Sequence, residues 1–210
     1  MPASSKTDRR LGAATAPRPA RRGSSATDLA LIATFAGLII VLGLVGTLTV
    51  FGGAVPITAQ TLGVMLAGAI LGWKRGVAAV LVVIGLCAAG LPVLAGGRGG
   101  LGVFASPTVG YLLGWTLGAA VVGWMVQRRL PQPPLWWLLV ACVVGGIGGI
   151  YLIGVPGVAL RTNVSLVVAA KSAVVFLPGD LIKAVIAAVV AGAVHRASPG
   201  VTPRLGRARR

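Results

Sequence analysis

Residues 29–51 read LALIATFAGLIIVLGLVGTLTVF, twenty-three positions without one charged side chain. An α-helix rises about 1.5 Å per residue, so a run of this length reaches across the roughly 30 Å hydrocarbon layer of a bilayer. Outward from it the pattern repeats. Apolar runs follow at Ile57–Trp73, Gly76–Leu91, Thr108–Val126, Leu135–Val155 and Gly179–His195. Between them stand FGGAVP at 51–56, Lys74 and Arg75, PVLAGGRGGLGVFASP at 92–107, and QRRLPQPP at 127–134. The glycine-laden stretch at 92–107 is expected not to hold a regular helix. Residues 158–177 carry Arg161, Asn163 and Lys171 and read as an outer loop with a short, partly immersed helix.

The composition agrees and excludes an ordinary soluble domain. Apolar residues are 56 % of the chain, charged residues 10 %, mean hydropathy is +0.94, and there are 32 glycines that let helices approach closely. The net charge of +16 invites a nucleic-acid reading. That reading needs a basic face with aromatics interleaved, whereas here the cations sit in short clusters between apolar runs and in the tails. With the N-terminus inside, 15 of the 19 basic residues fall on the inner side, as the positive-inside rule requires. The reading is therefore an all-α integral membrane protein of the cell membrane, with six transmembrane helices and both termini cytoplasmic. Residues 1–28 form a disordered basic tail expected to stay attached, 29–196 the membrane domain, and 197–210 a second basic tail. Cys87 and Cys142 lie inside apolar runs without ligand partners and read as packing residues. The tryptophans mostly flank the runs, as interfacial anchors do, and His195 reads as a helix-end residue.

Four basic residues escape the inner set: Arg98, Arg161, Lys171 and Lys183. Asp180, the one carboxylate in the middle of the chain, lies ~22 Å before the end of the last helix, near the outer interface. Gln60 belongs to the first turns of helix two, which also starts outside. These groups are expected to converge on one outward-facing pocket. Asp180 would accept two N–H donors, and Lys183, one turn on, would donate to a carbonyl or carboxylate. Arg98 would clamp an anionic tail, and Tyr111 would pack on an apolar middle. The structural alternative pairs Asp180 with Lys183 or Lys171 at the start of the helix. In the first run Ala33 and Gly37 place small residues one turn apart on one face.

Three blocks, VPITAQTLGVMLAGAILG, GLPVLAGGRGGLGVFASPTVGYLLGW and FLPGDLIKAVIAAVVA, resemble in order the biotin-specific membrane component of energy-coupling-factor (ECF) transporters, the BioY family. The resemblance runs from about Ala30 to Arg196. It implies an S-component fold that captures biotin outside and docks on a transmembrane coupling protein carrying two ATPases. It also implies ligand contacts for Asp180 and Lys183 and a docking face on helix one at Ala33 and Gly37. Where the family usually reads GPTGGY this chain has SPTVGY, so Ser106 and Val109 replace glycines. No GxxxxGK[ST] loop occurs, so ATP is expected to be used by partner subunits and no cofactor by this chain. The rival readings are an S-component for another vitamin and an intramembrane lipid-modifying enzyme. The enzyme would need clustered carboxylates or histidines that this chain lacks.

Overall fold

The computed structural model describes residues 25–44 and 58–205. The expected FGGAVP connection and most of the N-terminal tail lie outside them. Among the described residues the architecture is helical, with a single isolated antiparallel pairing between Leu94 and Arg98. The helices are α1 (Ser25–Leu44), α2 (Gln60–Leu71), α3 (Trp73–Ala88), α4 (Gly102–Ala105) and α5 (Val109–Gln127). They continue with α6 (Leu135–Ala141), α7 (Ile150–Thr162), α8 (Leu166–Ala173) and α9 (Leu177–Ala197). Four continuous helical stretches, 25–44, 109–127, 135–162 and 166–197, are long and apolar enough to cross a membrane.

Helix α2 is the centre. Every position from Gly63 to Leu71 is buried, whereas α1 buries only Ala36, Ile39 and Gly43. A helix that is apolar all round belongs inside a bundle, and α1, α3, α5 and α9 surround this one. Glycines set the distances. A Cβ on Gly123 of α5 would fall 2.3 Å from the backbone nitrogen of Trp73, so α5 lies directly on the turn that joins α2 to α3. That turn is itself made by Gly72, whose φ of +79° suits glycine.

Two segments differ from the sequence reading. The glycine-laden stretch does form one helical turn, α4, after the Leu94–Arg98 bridge. The fifth run does not stop near Pro156. It passes through Cys142–Gly149 as a π-helical segment and continues unbroken to Thr162. The glycines there tolerate the wider turn, and packing outweighs the cost of an internal proline. Gly157 would place a Cβ 2.6 Å from the Cα of Gly110, so α5 and α7 are locked together on both sides of Pro156. The short helix expected within residues 158–177 is α8, capped by Ser165, whose hydroxyl accepts from the amide of Val168 at 3.4 Å.

At the end of the bundle opposite Asp180, polar groups are bound to backbone. His195, 2 % exposed, bonds the carbonyl of Ala69 at 2.9 Å, which makes it an interhelical tie and not only a helix-end residue. Residues 198–205 fold back on the bundle. The Thr202 hydroxyl donates to the carbonyl of Ile70, and the Gln127 amide donates to the carbonyl of Pro203 at 2.6 Å. Arg75 bridges Asp28 in the first turn of α1 to the carbonyl of Val201.

Replacing Gly123 with alanine should destabilise the protein by ~1–3 kcal/mol through overpacking. Replacing Gly85, where an added Cβ meets nothing within 4 Å, should not destabilise it. Thermal midpoints of the two purified variants in detergent check both statements.

Candidate functional site

Asp180 and Lys183 sit at i and i+3 in the first turns of α9, so they share a face. The face is turned inward at Asp180, which is 5 % exposed. Its carboxylate meets three donors. Lys183 Nζ lies 2.9 Å from Oδ1 and the Thr61 hydroxyl 3.3 Å from the same oxygen; the Tyr151 hydroxyl donates to Oδ2 at 2.7 Å. Lys183 also donates to Thr61 at 3.2 Å, which closes a small ring of bonds between α2 and α9. Tyr151 reaches the carboxylate from α7, immediately after the π-helical segment, and its ring rests edge-on against Tyr111 with centroids 5.8 Å apart.

This polar cluster forms part of the lining of one cleft. Thr108, Tyr111, Leu112 and Trp115 enter it from α5 and the residue before it, at helical spacing. Ile150, Phe176 and Leu94 supply further apolar wall. A second polar group comes from the 94–98 hairpin, which turns at Gly96 and Gly97 with φ near +70°. There Arg98 donates from Nε to the carbonyl of Ala95 at 3.2 Å and from Nη1 to the Thr108 hydroxyl at 3.4 Å. Ser106 bonds Thr108 at 2.9 Å. One of the two departures from the family motif thus supports the residue that receives Arg98.

All five residues expected at the site, Gln60, Arg98, Tyr111, Asp180 and Lys183, line this one cleft. The expected pair of Asp180 with Lys183 is also formed, so ion pair and cleft wall are the same residues. Lys171 and Arg161 do not line it. Lys171 is exposed on α8, and Arg161 donates to the carbonyl of Phe104 at 2.9 Å. Gln60 spends its side-chain amide on backbone groups rather than presenting it freely. Sequence reasoning missed Tyr151, Thr61 and Trp115. The signals were thin: Tyr151 is one of only two tyrosines in the chain, and Thr61 closes the PxTxQT block. Trp115, read as an interfacial anchor, is buried at 6 % exposure and faces the cleft.

The set has a definite chemistry. A carboxylate and an ammonium held side by side accept and donate within one small region. The guanidinium of Arg98 uses two contacts internally and keeps most of its five N–H donors for an anion. Among the described residues no cluster of His, Cys, Asp or Glu suits a metal ion.

Comparison with known proteins gives the same direction. A biotin transporter of Rhizobium etli is 46 % identical over 177 residues, 81 % of this chain and 94 % of the relative. A biotin transporter of Rhodobacter capsulatus is 44 % identical over 181 residues, 82 % of this chain and 95 % of the relative. The crystal structure of the S-component for biotin from an ECF-type ABC transporter superposes with a TM-score of 0.79 at 28 % identity, covering 84 % of this chain and 95 % of that one. The BioY family model itself matches residues 14–200, and the chain belongs to the BioY family.

Proposed function

We propose that this chain captures biotin at the cleft and delivers it across the cell membrane as the S-component of an ECF-type transporter. One observation carries the reading: buried Asp180 and its half-buried partner Lys183, with Thr61 and Tyr151, stand in the wall of an otherwise largely apolar cleft. Biotin presents complementary groups. Its ureido ring has two N–H donors beside a carbonyl, its bicycle is apolar, and its side chain ends in a carboxylate. A carboxylate offers about four lone-pair sites, of which Lys183, Thr61 and Tyr151 take three, so Asp180 retains capacity for a ureido N–H. Lys183 donates to the ureido carbonyl, Trp115 and Leu112 pack on the bicycle, and Arg98 receives the carboxylate tail. The protein needs no chemistry of its own; selective binding precedes a reorientation driven by partner subunits.

Six passes with both termini in the cytoplasm complete the proposal. Helices α2 and α3, with 12 and 16 residues, are ~18 and ~24 Å long and cross with the help of their connections. The transmembrane coupling protein, which carries the two ATPases, docks on α1. There Ala33 is exposed, and an added Cβ on Gly37 would meet no atom within 4 Å.

Equilibrium binding of radiolabelled biotin to purified protein should show tight one-to-one binding. Asp180→Asn or Lys183→Ala should weaken it at least about tenfold, or ~1.4 kcal/mol. Undiminished binding in both variants would return the pair to a purely structural role. A bulky residue at Ala33 or Gly37 should lower biotin uptake by cells expressing the whole transporter while leaving binding by the purified chain intact. Normal uptake would remove α1 as the docking helix.

A further inference from the structure

Gln60 lines the cleft, yet its amide is committed elsewhere. The residue is 2 % exposed in the first turn of α2. Its Nε2 donates to the carbonyl of Val93 at 3.2 Å and to that of Ile39 in α1 at 3.4 Å. Its Oε1 accepts from the amide of Ala95 at 3.1 Å. One side chain therefore ties α1, α2 and the loop that carries Arg98. The fit on the α1 side is close: a Cβ on Gly43 would lie 2.5 Å from Cδ and from Nε2 of Gln60.

The loop's other holds are Val93 and Leu94, packed into the apolar core, and the Arg98 Nη1 bond to the Thr108 hydroxyl at 3.4 Å. Leu94 and Arg98 bond each other through both backbone pairs, and the Arg98 side chain returns to the carbonyl of Ala95. These bonds shape the hairpin itself. At Ala95 the amide that reaches the helical body does so through Gln60. Leu94, Ala95 and Arg98 all line the cleft, so the position of this hairpin governs whether a bound molecule stays.

We propose that Gln60 is a positioning residue: it clamps the 93–98 hairpin, and with it Arg98, to α1, and so sets how long the ligand remains bound. This rests on the biotin reading of the cleft. Because α1 is also the proposed docking helix, the same amide places ligand loop and docking helix in one bonded unit. A displacement of α1 then acts on the hairpin directly, and bound ligand acts on α1 in return.

Two variants of the full chain test the clamp. Gln60→Met keeps the length and removes every bond of the amide. Gly43→Ala pushes on the amide from α1 without touching the cleft. In detergent, three quantities are read: the dissociation rate of radiolabelled biotin, hydrogen exchange at the Ala95 amide without biotin, and the thermal midpoint. Both variants should release biotin roughly tenfold faster or more, a loss of ~1.4 kcal/mol if association is unchanged. Both should speed exchange at Ala95, whereas Asp180→Asn should speed release without changing that exchange. Unchanged release in both, whatever happens to the midpoint, overturns the proposal, as does unchanged exchange at Ala95. If Gln60→Met does not fold, Gly43→Ala decides alone. Should the unmodified chain bind no biotin, the functional reading fails separately, and exchange at Ala95 still decides whether the clamp exists.

Discussion

A carboxylate removed from water among apolar helices must find partners, because burying it alone costs several kcal/mol. Asp180 meets that requirement with donors from three helices: Thr61 of α2, Tyr151 of α7 and Lys183 of its own α9. The consequence is geometric. The three donors tie α2, α7 and α9 together around one carboxylate. The π-helical widening of Cys142–Gly149 and the glycine contacts along α5 both serve that arrangement, since they set where Tyr151 emerges. Lys183 in turn obtains two acceptors, Asp180 and Thr61, at 14 % side-chain exposure.

Much of the membrane architecture was legible because hydropathy integrates over twenty residues and tolerates local error. The runs beginning at Leu29, Thr108, Leu135 and Gly179 correspond to stretches able to cross a membrane. Asp180 and Lys183 were legible for another reason: i and i+3 on a helix face the same way wherever that helix lies. Their partners were not. No local spacing links Thr61 or Tyr151 to position 180, and each is a lone-hydroxyl side chain within a mostly apolar run. The helix through Pro156 was hidden because its support, Gly110 against Gly157, comes from a different part of the chain. Charge alone placed Arg161 and Lys171 near the site, and the folded chain turns them elsewhere. Gln60 was found as a cleft residue, but the backbone groups that its amide would meet have no signature in sequence.

The buried half of α2 bears on how cargo leaves. From Gly63 to Leu71 every side of this helix is covered, and beyond it His195, Gln127 and Thr202 are bonded to backbone at the far end. A tunnel leading from the cleft through that region would have to sever those ties and pry apart glycine-tight backbones. A rigid body that tips as a whole avoids both costs, so this architecture favours a bucket over a pipe.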